Sequence, residues 1–491
     1  MSVIKVENLT FSYPSGIDDI FKNVNFQIDT DWKLGFIGRN GRGKTTFLNL
    51  LLGKYEYSGK IHSSVEFDYF PYQVTDKDRF TGEILAEVCP AAEEWEFLRE
   101  LSYLEVGGDV LWRPFSTLSN GEQTKVLLAA LFLNEGHFLL IDEPTNHLDV
   151  RAREIVSSYL NRKKGFILVS HDRCFLDGCV DHILSLNKSD IEVQSGNFST
   201  WFENFQSRQN FELAKNDKLK KDINRLQKAA GRSASWSSRT ESAKFGSGPV
   251  DRGFIGHKSA KMMKRSKSIE ARQQRAAEEK AGLLKNFERN DDLKISPLKY
   301  HSDTLAQFSD VTPVFGGRDI CRPVSFEIKQ GERVALDGRN GSGKSSLIKI
   351  LAGFPVEHRG TVKTGSGLII SYVPQDTSFL KGSLQKFAEE NSIDLTLFMT
   401  ILRKMDFERI QFEKGMEDYS AGQKKKVLIA RSLCEKAHLY IWDEPLNHID
   451  IYSRMQIENL IGEFSPSMLF VEHDMAFRRN IATKSVEIEK L

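Results

Sequence analysis

The chain of 491 residues is 40% hydrophobic and 27% charged, and its formal net charge at pH 7 is +1. These values predict two or three globular domains and exclude a disordered chain. No stretch approaches the roughly 20 apolar residues that span a bilayer, and no N-terminal segment is typical of a signal peptide. The cysteines show neither CxxC nor zinc-binding spacing, so we expect reduced thiols in a soluble, cytosolic protein without a membrane domain. They are Cys89, Cys174, Cys179, Cys321 and Cys434.

The first predicted elements are a β-strand, a glycine-rich loop and a helix. The apolar run KLGFIG ends at Gly38, the loop continues to Thr45, and the helical pattern TTFLNLLLG follows. In such a G-x-x-x-x-G-K-[ST] loop, backbone N–H groups surround phosphate oxygens at a helix N-terminus. We therefore predict that Lys44 bridges the β- and γ-phosphates of ATP and that Thr45 binds Mg²⁺. The predicted ATP-binding residues of this loop region are Gly38, Asn40, Gly41, Gly43, Lys44, Thr45 and Thr46.

Further polar residues of the first half follow the ends of apolar strands. Asp142 ends the run FLLID, where its carboxylate can reach Mg²⁺, and Glu143 is placed to orient or deprotonate the attacking water. The alternative role of Glu143 is that of a helix N-terminal acid before Pro144. His171, after another apolar strand, could contact the γ-phosphate, although a lone histidine at this position is more often structural. Gln73, in FPYQ, is predicted to complete the metal and water shell.

The middle of the chain is strongly basic. Residues 206–290 contain 21 Lys and Arg against 9 Asp and Glu, a net charge of +12, so the other 406 residues sum to −11. Apolar stripes at helical spacing in 206–230 and 268–290 predict two helices packed antiparallel. A helix of about 25 residues is about 37 Å long, so this hairpin could project beyond the flanking domains. The alternative is a solvated helical linker.

Between the two predicted helices, at about 231–265, lies a tip rich in glycine and serine, which predicts irregular structure. Its Lys and Arg residues alternate with aromatic residues, and this combination is typical of proteins that engage structured RNA. A linker alone needs neither 85 residues nor aromatic side chains on a glycine-rich loop, so we favour RNA contact. The tip residues predicted to make it are Lys244, Phe245, Phe254, His257 and Lys258.

The second half repeats five motifs of the first with offsets of 300 to 302 residues. GRNGSGKSS, YVPQ, YSAGQ, YIWDEPLNHID and VEHD correspond to GRNGRGKTT, FPYQ, LSNGEQ, LLIDEPTNHLD and VSHD. Motifs in register over this length predict a duplicated domain, and apolar strands alternating with helices predict an α/β core with a largely parallel sheet. The equivalent site residues are Gly338, Asn340, Gly341, Gly343, Lys344, Ser345, Ser346, Gln375, Asp443, Glu444 and His473, of which Ser345, Gln375 and Asp443 are the predicted Mg²⁺ residues.

One aromatic residue precedes each glycine-rich loop. Tyr13 lies 25 residues before the first loop and Phe315 lies 23 residues before the second, each at the edge of a β-like segment. Either ring could stack on adenine, and for any single aromatic residue a place in the core is an equal alternative. We retain both as predicted ATP-binding residues.

With the signatures Ser119-Asn120-Gly121 and Ser420-Ala421-Gly422, the motif set resembles the ATP-binding cassette (ABC) ATPases. This resemblance implies an α/β protein with two tandem ABC-type nucleotide-binding domains, 1–205 and 299–491, joined by a projecting α-helical hairpin linker over 206–298. It also implies a monomer whose cassettes pair head to tail, each ATP lying between one glycine-rich loop and the other cassette's signature. One such site would combine Lys44 and Glu143 with Ser420, Gly422 and Gln423, and the other would combine Lys344 and Glu444 with Ser119, Gly121 and Glu122.

The NHLD and NHID motif endings and the linker resemble the ABC-F subfamily, whose members act on ribosomes. GRNGRGKTT, LWRPFSTLSNGE and DRGFIGHKSAKMM are similar to its Lsa-type branch. This resemblance implies binding near the exit site of the large ribosomal subunit and insertion of the hairpin beside P-site tRNA and 23S rRNA. A lincosamide, pleuromutilin or streptogramin A drug would thereby be displaced from the peptidyl-transferase centre. Two alternatives remain: an ABC-F translation factor that acts on stalled ribosomes without drug, and a fused ATPase subunit of an ABC transporter.

Overall fold

The computed structural model describes residues 2–14, 19–146, 148–187, 190–211 and 293–491, with isolated positions at 214–215, 218–219, 221–222, 224 and 264. The chain divides into two compact units, of which one contains residues 1–201 and 290–491 and the other contains residues 202–289. The five predicted tip residues and most of the predicted hairpin lie outside the described residues. The hairpin, its tip and the three domain boundaries therefore stay predictions.

The first half contains two β-sheets. A three-stranded antiparallel sheet has the order β2-β1-β4, and a six-stranded sheet has the order β5-β6-β7-β3-β8-β9, parallel except for its last strand. The strands are β1 (Val3–Phe11), β2 (Phe21–Asp29), β3 (Lys33–Gly38), β4 (Ser58–His62), β5 (Glu66–Phe70), β6 (His137–Asp142), β7 (Phe166–Val169), β8 (His182–Leu186) and β9 (Ile191–Ser195).

The second half repeats this arrangement. Its antiparallel sheet joins β11, β10, β12 and β14, and its parallel sheet has the order β15-β16-β17-β13-β18. The strands are β10 (Thr304–Phe315), β11 (Arg318–Asp319), β12 (Val324–Lys329), β13 (Arg333–Asp337), β14 (His358–Thr364), β15 (Ile370–Val373), β16 (Leu439–Asp443), β17 (Met468–Val471) and β18 (Lys484–Glu487). The predicted duplicated α/β domain with a largely parallel sheet is confirmed.

Helices connect the parallel strands, as crossover connections require. Across the described residues, none of them has the length and apolar character needed to cross a membrane. In the first half they are α1 (Lys44–Leu51), α2 (Thr81–Val88), α3 (Glu94–Tyr103), α4 (Asn120–Leu131), α5 (Val150–Asn161) and α6 (Arg173–Cys179). In the second half they are α7 (Lys344–Leu351), α8 (Leu384–Glu390), α9 (Leu395–Lys404), α10 (Ala421–Cys434), α11 (Ile451–Phe464) and α12 (Met475–Ile481). Residues 198–211 are also helical.

The core of the first half lies around α1, which packs between the two sheets. Phe47 of α1 is fully buried, and its ring contacts the rings of Phe21, Phe26 and Phe36 at centroid distances of 6.0, 5.7 and 5.5 Å. The central strands read as continuous apolar runs because both of their faces are covered. This packing holds α1, and thus the loop that precedes it, in place.

Phe47→Ala is expected to lower the free energy of unfolding by about 3–5 kcal/mol, because it leaves a cavity among three aromatic neighbours. Urea unfolding of the full chain, followed by tryptophan fluorescence, measures the change. Phe379→Ala is the control, since Phe379 is 52% exposed. Equal loss of stability in the two variants would contradict the assignment of α1 to the core.

Candidate functional site

Each glycine-rich loop joins a central parallel strand to the helix that follows it. Gly43 and Gly343, the residues before α1 and α7, have φ angles of 104° and 90°, which side-chain-bearing residues rarely adopt. At Gly43, a Cβ atom would also lie 2.6 Å from Cγ2 of Ile20. The backbone conformation therefore favours glycine at both positions, and at Gly43 the available space requires it as well. The N–H groups of the first helical turn face the loop.

The loop lysines lie folded over their own loops. Lys44 Nζ donates to the carbonyl oxygen of Gly38 at 2.8 Å, and Lys344 Nζ donates to that of Gly338 at 2.7 Å. Burial lowers the pKa of both ammonium groups, although nearby carboxylates oppose this effect. A cation inside a ring of N–H groups suits a polyphosphate, because phosphate supplies both the negative charge and the acceptor oxygens.

A hydroxyl and a carboxylate stand beside each lysine. Thr45 Oγ1 donates to Asp142 Oδ2 at 2.9 Å, and Ser345 Oγ donates to Asp443 Oδ1 at 3.1 Å. Burial raises the pKa of Asp443 to about 6, and its Oδ2 atom is buried without a hydrogen-bond partner among the described residues. Hydroxyl and carboxylate oxygens are the ligands that Mg²⁺ prefers, so these residues fit a magnesium ion bound with a triphosphate.

Glu143 and Glu444 follow strands β6 and β16 in a left-handed conformation, with φ angles of 52° and 46°. Such strain at a residue other than glycine is common at functional sites. Each carboxylate lies beside the histidine of its own half: His171 Nε2 is 3.3 Å from Glu143 Oε1, and His473 Nε2 is 3.4 Å from Glu444 Oε1. The structure thus brings together the two residue pairs that were predicted to act on the attacking water and the γ-phosphate.

A cavity of about 840 Å³ is lined by residues from both halves of the chain. Its volume is within the range of roughly 300–1,000 Å³ typical of small-molecule sites. From the second half, its lining includes Asn340, Gly341, Gly343, Lys344, Ser345, Ser346, Gln375, Glu444 and His473. From the first half, it includes Ser119, Asn120, Gly121 and Glu122. The second glycine-rich loop therefore faces the first signature, as head-to-tail pairing requires.

The first loop contacts the second cassette beside that cassette's signature. Asn40 Nδ2 donates to the carbonyl oxygen of His448 at 2.7 Å, and a Cβ atom on Gly422 would lie 3.2 Å from the same Nδ2. Arg39 also forms an ion pair with Asp406, with 3.3 Å between nitrogen and oxygen. Both candidate sites are thus composite, each formed by one loop and the opposite signature.

The two water-activating candidates differ in their electrostatics. Burial, with the negative charge of Asp142, raises the pKa of Glu143 to about 8. Burial would also raise the pKa of Glu444, but the hydrogen bond and charge of His473, with the charge of Lys425, hold it below its usual range. Gln375 Nε2 additionally donates to Glu444 Oε2 at 2.8 Å. At neutral pH Glu444 is therefore ionised, whereas Glu143 is mostly protonated.

The predicted glutamine of the first half takes a different place. Gln73 lines a separate cavity of about 400 Å³ together with Lys54, Tyr69, Tyr72 and Asn134. Its counterpart Gln375 lines the composite cavity instead. The two glutamines of the repeated motif thus line different cavities.

The predicted aromatic and signature side chains have the following places. Tyr13 lies beside α1, with its hydroxyl 2.9 Å from Thr46 Oγ1, and Phe315 is 81% exposed. Glu122 accepts a hydrogen bond from the N–H of Ser119 at 2.8 Å, which completes a capping box at the start of α4. Gln423 and Ser420 form the equivalent box at α10. The two boxes hold the signature serines at helix N-termini.

Two aspartates near the sites were not selected from the sequence. Asp149 lines the composite cavity and its charge acts on Lys344, while the charge of Asp450 acts on Lys44. Each aspartate therefore acts on the lysine of the opposite half. The sequence nevertheless marks both aspartates, because each is the last residue of the repeated NHLD or NHID motif.

Comparison with known proteins agrees with this architecture. The family model described as ABC transporter matches residues 21–146 and again 321–447. The chain is 28% identical over 484 residues to the ribosome protection protein VmlR of Bacillus subtilis (strain 168), covering 95% of this chain and 83% of VmlR. It is 24% identical over 517 residues to the energy-dependent translational throttle protein EttA of Haemophilus influenzae, covering 94% of this chain and 88% of EttA.

Solved structures show the same fold. The chain aligns with a TM-score of 0.64 and 18% identity to a chain in the crystal structure of the archaeal ribosome recycling factor aABCE1 with the ribosomal stalk protein aP1. The alignment covers 98% of this chain and 87% of that chain. Two α/β cassettes in tandem are therefore the architecture on which the site is built.

Proposed function

Because the chain belongs to the ATP-binding cassette family, within its ABC-F group, and is an ATP-hydrolysing enzyme, we propose that it uses ATP-driven closure of its two cassettes on the ribosome. The observation that carries this proposal is the composite cavity, in which Lys344 and Glu444 of one cassette face Ser119 and Gly121 of the other. A site that is complete only when two cassettes meet couples nucleotide binding to their closure.

The residues act in a defined order. The loop N–H groups and the loop lysine bind the β- and γ-phosphates, and the opposite signature closes over the γ-phosphate. Bound Mg²⁺, held by Thr45 with Asp142 or by Ser345 with Asp443, would neutralise phosphate charge. Glu444 accepts a proton from the attacking water at neutral pH because its carboxylate is ionised. Hydrolysis removes the γ-phosphate over which the signature closes, so the two cassettes separate.

The ribosome is the proposed partner for two reasons. The relatives VmlR and EttA carry names that place them in ribosome protection and in translational control. In addition, residues 206–290 carry a net charge of +12, which suits a polyanion such as RNA. We propose binding in the cytoplasm to the exit-site region of the large subunit, with the basic segment directed towards P-site tRNA and 23S rRNA. Displacement of a peptidyl-transferase-centre drug is the proposed outcome.

The test is ribosome co-sedimentation of the Glu143→Gln, Glu444→Gln double variant with ATP. Loss of both carboxylates prevents water activation and leaves ATP binding intact, so the variant should remain closed and pellet with ribosomes that carry P-site tRNA. The matched control is Glu66→Gln, Glu390→Gln, two carboxylates whose side chains are 85% and 62% exposed. A trapped variant that stays in the supernatant would reject the ribosomal function.

The name of EttA, a translational throttle protein, favours one second function, that of a translation factor. We propose as this alternative a factor that acts on stalled ribosomes without drug. Growth of a strain with and without the gene, in the presence and absence of lincosamide, separates the two. Protection only with drug supports resistance. A growth defect without drug supports the translation factor, and pelleting with membranes instead of ribosomes supports a transporter subunit.

A further inference from the structure

An arginine next to one catalytic histidine reaches across to the other cassette. Arg173 lies two residues after His171, at the start of α6, and its guanidinium forms hydrogen bonds to both carboxylate oxygens of Glu458 on α11. One of these bonds, from Nη1 to Oε2, measures 3.2 Å. The side chains are only 12% and 8% exposed, so the pair is withdrawn from water. A bidentate, buried pair of this kind is strongly oriented.

The surroundings of this pair connect it to the second catalytic histidine. Arg173 also lies 3.9 Å from a carboxylate oxygen of Asp474, the residue after His473, and Arg454 forms an ion pair with the same aspartate at 2.9 Å. Asn480 Nδ2 donates to Glu458 Oε2 at 3.2 Å. The turn that carries the first histidine is therefore joined to the turn that carries the second.

The internal repeat shows that this pair exists on one side only. The motif offsets place Met475 at the position of Arg173 and Ser157 at the position of Glu458. Neither replacement is charged, so the symmetry-related contact cannot be an ion pair. Ser157 instead serves close helix packing: a Cβ atom on Gly178 would lie 2.4 Å from its Oγ. The two cassettes are thus joined asymmetrically.

We propose that Arg173 and Glu458 form a one-sided clamp that stabilises the closed cassettes and positions the His171 turn. This inference rests on the proposed ATP-driven closure. The clamp forms only when the cassettes meet, because its two residues belong to different cassettes. When the cassettes separate, each charged side chain is exposed to water. Removing Arg173 leaves the Glu458 carboxylate with Asn480 but without its cation, and removing Glu458 leaves Arg173 with only the 3.9 Å contact to Asp474. Either change disfavours closure more than the loss of an exposed pair would. Arg173 is a positioning residue, since it acts through the turn and touches no phosphate.

The experiment measures ATP hydrolysis by the full chain without ribosomes. Arg173→Met, which introduces the residue of the second copy, and Glu458→Gln are each expected to raise the KM for ATP about tenfold and to change kcat less than about twofold. The charge-exchanged double variant Arg173→Glu, Glu458→Arg is expected to recover most of the lost affinity. Arg322→Met is the control, because Arg322 and Glu489 form an exposed pair within one cassette, with side chains 69% and 56% exposed.

A merely structural role predicts a different pattern. If thermal unfolding shifts while KM stays at the wild-type value, or if the exchanged pair restores no affinity, the clamp is rejected. The assay contains no ribosomes, so failure of the ribosomal function leaves this result unaffected. If the proposed ATP-driven closure is wrong, the Glu444→Gln variant should hydrolyse ATP at the wild-type rate.

Discussion

Glu444→Gln is expected to lower the ATPase rate at pH 7 by about tenfold, because only about a tenth of Glu143 is ionised at this pH, whereas Glu143→Gln lowers it by about twofold at most. The two glutamates occupy equivalent places in the repeat, but only Glu444 is ionised at this pH. Its pKa is held below the usual range by His473 and Lys425, while burial and the charge of Asp142 raise the pKa of Glu143 to about 8. A protonated carboxylate cannot accept a proton from water.

The pH dependence of the residual activity distinguishes the two sites. In Glu444→Gln, hydrolysis depends on Glu143, so the rate should rise about tenfold between about pH 7 and pH 9, as that carboxyl loses its proton. In Glu143→Gln, the rate should be constant over the same range, because Glu444 stays ionised. Steady-state ATPase assays across this range provide the measurement. Equal losses and identical pH profiles in the two variants would contradict the assignment.

Gly422→Ala is expected to lower the ATPase rate at saturating ATP by about tenfold to 100-fold, since the added methyl group displaces helix α10 from the backbone of its own cassette and so moves the signature out of the place it needs for closure. Its Cβ atom would lie 2.4 Å from the carbonyl oxygen of His448, which belongs to the backbone, and 3.2 Å from Asn40 Nδ2 of the other cassette. A side chain can rotate away from such a contact, whereas a backbone carbonyl in a packed turn cannot. Both sites lose activity because the same two domains form both of them.

Closure itself can be followed by small-angle X-ray scattering of the hydrolysis-deficient double variant with ATP. Adding Gly422→Ala should leave that protein as extended with ATP as without it. Gly462→Ala is the matched control, because Gly462 also lies in a helix and a Cβ atom there meets nothing within 4 Å. This control is expected to keep the wild-type rate, with slightly higher stability from its better helix propensity. Normal closure of the Gly422→Ala variant would contradict the prediction, because it would show that helix α10 can move away from the His448 carbonyl oxygen without loss of closure.

The two halves of the chain carry different residues at equivalent positions near the two sites. Arg42 of the first loop, which lies 3.8 Å from Asp406, is replaced by Ser342 in the second loop. Arg173 is likewise replaced by Met475. Such differences within a repeat of constant spacing identify where the two copies have taken separate roles, and they agree with the separate protonation of Glu143 and Glu444.

The sequence by itself determined the duplicated α/β architecture and the candidate residues of each copy. Loop glycines, the following lysine and the carboxylates at strand ends are local features, since their chemistry depends on spacing within one strand–loop–helix unit. Gly43 shows why: its positive φ follows from the turn into α1. The roles of these residues, and of the basic linker, stay predictions.

Only the tertiary structure decided which residues meet across the cassettes. The family resemblance had already implied the pairing of Lys344 with Ser119, but Arg173 and Glu458 are 285 positions apart, and no local pattern specifies their contact. Protonation was also beyond the sequence: Glu143 and Glu444 occupy the same motif, yet their pKa values move in opposite directions. Burial and neighbouring charges determine that direction, and both depend on how the folded halves pack together.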